Sequence, residues 1–206
     1  VSGIGAICHT INPRLFKEQI IFIINDAKNK LLFVDLDFFD LVVEIINEIY
    51  TVEYVIILGQ KKDIPNTKNF SKKVIAYEDL IENVDVMSEW PIFSEKTASS
   101  LCYTSGTTGN PKGVLYSHRS TLIHTIAAAN PDSFNLSSLD VIMPIAPMFH
   151  ANAWGIPYVA TMIGAKLVLP GRHLDGKSIY NLMEREKVTF TAAVPTIWLM
   201  PVSYTH

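Results

Sequence analysis

Cysteine is scarce in this sequence: Cys8 and Cys102 are the two present in 206 residues. Two thiols cannot staple a disulfide framework, and they point to a reducing, cytoplasmic setting. Positive charge is nowhere concentrated. Lys61-Lys62 and Lys72-Lys73 are short pairs that read as solvated loop charges, and the formal net charge is −3. Without a basic stripe, no nucleic-acid partner is expected. The six histidines are scattered, with no His-Glu-x-x-His and no Cys-x-x-Cys, so no metal-ligand spacing is present. Long apolar runs are missing too. Ile20 to Ile24 is far too short to span a bilayer, and no signal peptide is expected. Neither repeats nor low-complexity segments occur. What remains is 49% apolar and 18% charged, a globular composition with chain enough for one core or two small ones.

Along the chain, helical and strand signals alternate. Pro13 to Ala27 carries apolar residues at Leu15, Phe16, Ile20, Ile23 and Ile24, a helix-like stripe. Leu31 to Val34 reads as a buried strand, Phe38 to Tyr50 as a helix, and Tyr54 to Leu58 as a strand closed by Gly59. A polar loop from Gln60 to Phe70 leads to a strand at Val74 to Tyr77, a helical turn at Glu78 to Val84 and a linker around Ser88 to Thr97. Ser117 is the expected N-cap of a helix ending at Ala129, since its hydroxyl oxygen can accept from a first-turn amide. Strand Val141 to Ile145, helix Trp154 to Ile163, strand Lys166 to Leu169, helix Ser178 to Glu186 and strand Val188 to Ala192 follow. A further helical stretch is expected at Pro195 to Met200. Strands separated by helices of this length predict an α/β fold of βαβ units on largely parallel sheets.

The most informative run is Tyr103-Thr104-Ser105-Gly106-Thr107-Thr108-Gly109-Asn110-Pro111-Lys112-Gly113. It follows the short apolar strand Ser100 to Tyr103 and leaves through a strand-like Gly113 to Tyr116. Its glycines and hydroxyl residues offer several backbone N–H and O–H donors to one anion, with a mobile ammonium at the rim. A Walker A loop is excluded, because Pro111 precedes the lysine and no Ser or Thr follows it. A short piece such as Thr107-Thr108-Gly109 would read as a solvated turn; the whole run, set between a strand and a helix, is more specific. It resembles the phosphate-binding signature of the acyl-adenylate-forming enzymes, which include acyl-CoA synthetases, firefly luciferase and peptide-synthetase adenylation domains.

A second block, Met143 to Gly155, contains Phe149-His150-Ala151-Asn152-Ala153-Trp154. Taken alone, His150 would be a structural histidine, and Met148, Phe149 and Trp154 would be core. Within that family, the block is similar to the segment lining the carboxylate-substrate pocket of bacterial medium- and long-chain fatty acyl-CoA synthetases. Cys8 to Leu15 and Val188 to Thr196 resemble the same subgroup, so the likeness covers 1–200 as part of the N-terminal AMP-binding domain. It implies that Thr104, Ser105, Gly106, Thr107, Thr108, Gly109 and Lys112 bind the ATP phosphates, with Thr107 meeting Mg²⁺. It further implies that His150 and Ala151 border the acyl-adenylate and that Trp154 gates the acyl tunnel, which makes Lys112, Thr107 and His150 the candidate catalytic groups.

The implied reaction is ATP-dependent conversion of a medium- or long-chain fatty acid to acyl-AMP and then, with coenzyme A, to acyl-CoA. The expected partners are these small molecules, and the resemblance leaves a homodimer open. Activation of another carboxylic acid, loading of a carrier protein, or a non-catalytic domain keeping the fold are the alternatives. The family's later Mg²⁺-binding glutamate, ribose-binding aspartate and C-terminal lysine are not found in these residues, so the chain reads as an internal piece, inactive alone. The last six residues, Pro201 to His206, can be encoded by CCTGTCTCTTATACACAT, a transposase end used as a sequencing adapter. They are therefore expected to be a non-native tail.

Overall fold

The computed structural model describes residues 1–65, 67, 70–87, 89–104, 110–195 and 198. Two compact bodies make up the chain, one from 1–10, 93–102 and 115–206, the other from 11–92 and 103–114. Among the described residues there are three three-stranded sheets.

In the second body, β2 (Leu31–Asp35), β3 (Tyr54–Leu58) and β4 (Lys73–Ala76) pair in parallel with β3 central. β3 is an almost unbroken apolar run because both its faces are covered: Val55, Ile56 and Ile57 are all buried. Helix α1 (Lys17–Asp26) buries Ile20, Ile23 and Ile24, the i, i+3, i+4 stripe of an amphipathic helix. It starts at Lys17, later than Pro13, where the Gln19 side chain turns back to accept the Phe16 N–H. Helix α2 (Phe39–Ile45) ends earlier than the expected Tyr50, yet Ile46, Ile49 and Val52 continue into the same core through turns. A short helix, α3 (Tyr77–Ile81), follows β4.

In the first body, β8 (Lys166–Leu167), β7 (Val141–Pro144) and β9 (Phe190–Ala192) form a parallel sheet with β7 central. Successive β7 side chains serve opposite faces, as the strand pleat requires. Ile142 packs with Ile156, Val159 and Ala160, whereas Met143 packs with Val168 and Ile179. The first group lies on helix α6 (Ile156–Ile163), and Ile179 lies on α7 (Gly176–Glu186). Asp175 caps α7 by accepting the Ser178 N–H at 3.0 Å.

The other sheet orders β1 (Cys8–His9), β5 (Ala98–Tyr103) and β6 (Gly113–Ser117), with Cys8 beside Ser100 in parallel register. Ser117 ends β6 and caps α4 (His118–Ala129) by accepting the Ser120 N–H at 3.1 Å, the role expected of it and worth about 1 kcal/mol. Strand β1 carries no sequence signal, since two residues are too few for a periodicity. Of the expected helix at Pro195 to Met200, Thr196, Ile197, Leu199 and Met200 lie outside the described residues, as does 201–206.

Candidate active site

The predicted site residues fall in both bodies. In the second body, β5 ends at Tyr103 and the signature run begins. Ser105, Gly106, Thr107, Thr108 and Gly109 lie outside the described residues. The neck around them is defined. The Thr104 N–H donates to the Lys112 carbonyl at 3.0 Å, and the Lys112 N–H meets the Thr104 Oγ1 at 3.4 Å. Both side chains are exposed and Pro111 is buried, so the loop is pinned at its base while the ammonium group of Lys112 reaches solvent. Below the neck, the Tyr103 hydroxyl donates to Asp26 Oδ2 at 2.6 Å. Burial, then the adjacent Asp26 carboxylate, pushes the Tyr103 hydroxyl far above its ordinary pKa, which keeps it a donor.

The second block lies in the first body. A helix beginning at Trp154 was expected; instead α6 begins at Ile156, and the preceding turn α5 (Ala151–Trp154) is left-handed. Ala151, Asn152, Ala153 and Trp154 have φ of 45°, 51°, 55° and 57°, and Gly155 continues at 73°. Consecutive left-handed residues are costly for L-amino acids, at roughly 1–2 kcal/mol each. The sequence moderates this with Ala on either side of Asn152, a residue that tolerates the conformation, and Gly155 at the exit.

Tertiary bonds hold the turn in place. Thr10 Oγ1 donates to the Met148 carbonyl at 2.8 Å, and Asn152 Nδ2 donates to Ser100 Oγ at 2.8 Å. The Cys102 thiol points at Asn152 Oδ1 at 3.4 Å, and His124 Nε2 donates to the Trp154 carbonyl at 3.1 Å. His150 and Ala151 are exposed at the start of the turn. Trp154 is half-buried, packed against the cluster of Ala128, Ile142 and Ile156. A cavity of about 470 Å³, lined mainly by apolar surface, lies between α4 and this turn, with Tyr116, Thr121, His124, Asn152, Trp154 and Tyr158 on its walls. Burial raises the pKa of the Tyr158 hydroxyl, which is hydrogen-bonded to Ser100.

The structure thus brings His150, Ala151 and Trp154 onto one turn, and Thr104 and Lys112 onto one loop neck. Sequence reasoning missed Ser100, His124 and Asn152. Their partners are remote in sequence, 52 residues for the Ser100–Asn152 pair and 30 for His124 and Trp154. The usable signal was the Asn-Ala-Trp-Gly spelling, which offers two residues tolerant of positive φ in quick succession. Among the described residues, no group of three or more His, Cys, Asp or Glu could hold a metal ion, and no helix is long and apolar enough to cross a membrane.

A sequence model described as AMP-binding enzyme matches residues 1–205. The chain is 51% identical over 201 residues to a medium-chain-fatty-acid–CoA ligase of Ectopseudomonas oleovorans, covering 96% of this chain and 36% of that protein. It is 49% identical over 202 residues, with the same two coverages, to a 3-methylmercaptopropionyl-CoA ligase of Ruegeria lacuscaerulensis. A long-chain-fatty-acid–CoA ligase of Thermus thermophilus is 43% identical over 205 residues, covering 99% of this chain and 36% of its own length. The chain therefore spans about a third of the curated relatives it matches. Among solved structures, an anthranilate CoA ligase in complex with anthranoyl-AMP superposes with a TM-score of 0.80 at 23% identity. That match covers 95% of this chain and 36% of the other, and it shows the shared fold.

Proposed function

This chain belongs to the AMP-binding enzyme family, and from that premise we propose that the polypeptide containing it is an acid–CoA ligase. Its substrate in this reading is an unbranched carboxylic acid with an apolar tail. The observation that carries the proposal is the pinned neck, where Thr104 and Lys112 close the base of a loop rich in glycine and hydroxyl groups.

The chemistry explains the parts. A carboxylate oxygen attacks the α-phosphorus of ATP; the new P–O bond forms as the α–β bridging P–O bond breaks, and pyrophosphate leaves with the electron pair. Charge builds on the leaving group, so preorganised amides and the Lys112 ammonium lower the barrier electrostatically. Thr107 would offer its hydroxyl to a Mg²⁺ brought with ATP, and that ion would help neutralise the charge building on the pyrophosphate. In the second step the thiol of coenzyme A attacks the acyl carbonyl, AMP departs, and the thiol proton is released.

His150 and Ala151 border the acyl-adenylate in this reading, and Trp154 stands at the entrance of the acyl path. Two features support a gate. The indole packs on the apolar cluster around Ile156, while His124 donates to the Trp154 backbone carbonyl, so the turn is held by a bond that does not involve the ring. Each methylene moved out of water contributes about 0.8 kcal/mol, which makes an apolar tail worth gripping. Relatives acting on medium-chain acids and on 3-methylmercaptopropionate fit one description, because a thioether sulfur replaces a methylene in an otherwise straight chain.

The test is product formation by the intact polypeptide with ATP, coenzyme A and a panel of acids. Straight-chain acids and 3-methylmercaptopropionate should yield AMP and the acyl thioester, and benzoate should yield little. Absence of thioester with every acid would favour a non-catalytic domain, and turnover confined to benzoate would refute the tail reading.

A further inference from the structure

The left-handed turn that carries His150 and Trp154 needs something to hold it. Four consecutive non-glycine residues at positive φ are unfavourable, and their local bonds are few: the Ala153 N–H to the His150 carbonyl at 3.0 Å and the Gly155 N–H to the Asn152 carbonyl at 3.1 Å. At its centre, Asn152 is 6% exposed and its side chain leaves the turn altogether. Its amide nitrogen donates to Ser100 Oγ at 2.8 Å, and its carbonyl oxygen faces the Cys102 thiol at 3.4 Å. Ser100 and Cys102 are themselves buried, at 0% and 4% exposure, on the same face of strand β5. Both ends of one amide are thus engaged by one strand, and beside the fully buried Ser100 an unpaired amide would be costly.

We propose that Asn152 is a positioning residue: its buried amide clamps the left-handed turn to β5 and thereby fixes the presentation of His150 and Trp154 to the acyl substrate. The residue type answers two demands at once. Asn tolerates the left-handed conformation, and it carries a donor and an acceptor on one short, rigid side chain. Ala151 and Ala153, on either side, have no groups with which to make such a clamp. The proposal rests on the acid–CoA ligase reading for its kinetic consequence and on the structure alone for its conformational one.

The experiment uses Ser100→Ala in the intact polypeptide, which removes the acceptor without touching the turn, together with Asn152→Gly, which keeps the backbone tolerance and removes the amide. Hydrogen exchange at Ala153 and Gly155 should speed up by about tenfold in each variant, the loss of roughly one net hydrogen bond, while amides in α7 stay unchanged. KM for the acid should rise about tenfold with KM for ATP held, and the effects of the two substitutions should combine less than additively, as expected of partners that share an interaction. Unchanged exchange at Ala153 and Gly155 in Ser100→Ala would overturn the proposal. Acceleration spread evenly over the body, or KM values that do not move, would reduce Asn152 to an ordinary core residue and overturn it equally. If the wild-type protein makes no acyl-CoA, the functional reading fails while the exchange comparison still decides the clamp.

Discussion

Among the described residues of the candidate site, Gly155 has no room for a side chain. Its φ of +73° is one that side-chain-bearing residues rarely adopt, and a Cβ there would lie 2.6 Å and 2.7 Å from ring atoms of His124. Gly155→Ala is therefore expected to lose about 1–2 kcal/mol from conformation alone, with a further loss from displacing the imidazole off the Trp154 carbonyl. Adding His124→Ala should recover the steric share and leave the conformational share. Denaturant unfolding of the single and double variants measures both, and a Gly155→Ala protein of wild-type stability would refute the crowding. Asp140 offers a second test at this scale. Its carboxylate accepts the Ser137 N–H at 2.8 Å and the Thr189 hydroxyl at 2.8 Å, fastening the entry of β7 beside the segment that leads to β9. These bonds, the Ser137 amide first, lower its pKa below the ordinary carboxylate value. A depressed folded pKa means the stabilisation is present above the unfolded value near pH 4 and is lost as pH falls through the folded value. The melting-temperature gap between wild type and Asp140→Asn should thus be wide at pH 7 and narrow towards pH 3. A gap independent of pH would remove Asp140 from the account.

Elements with strong local chemistry were readable in the sequence. Ser117 announced α4 because a serine before a helical stretch satisfies an otherwise unpaired amide, and the apolar run of β3 matched a strand covered on both faces. Boundaries set by tertiary contacts were not readable. The apolar period that predicts a helix through Tyr50 continues in Ile46 and Ile49, which are buried from turns after α2 has ended at Ile45. The left-handed α5 defeats periodicity for a related reason. A mirror-image turn has the same spacing as a right-handed one, so only the chirality-tolerant Asn152 and Gly155 distinguish it. Within the site, the loop signature and the His150 to Trp154 block were legible as sequence strings. The contacts that shape them were not, because Ser100, His124 and Thr10 are brought in from distant stretches by the sheet and α4.

At the scale of the molecule, α4 is turned the unusual way round. Leu122, Ile123 and Ile126 are 54%, 60% and 51% exposed, while Thr125 is buried. From an apolar face of this kind the 206-residue chain on its own is expected to associate. Leu122→Glu with Ile126→Lys places an i, i+4 ion pair on that face and should raise the soluble yield of the isolated chain with helix content preserved. An unchanged yield would show that the liability lies elsewhere. In the proposed reaction, residues 103–113 hold the pyrophosphate of ATP while an acid attacks. Acid-dependent exchange of labelled pyrophosphate into ATP measures that half-reaction alone, independently of coenzyme A. In the intact polypeptide, Lys112→Ala should lower the exchange rate by about 10²–10³-fold with the fold preserved, the usual effect of losing one preorganised contact to a charged transition state. Exchange at the wild-type rate in Lys112→Ala would contradict the account.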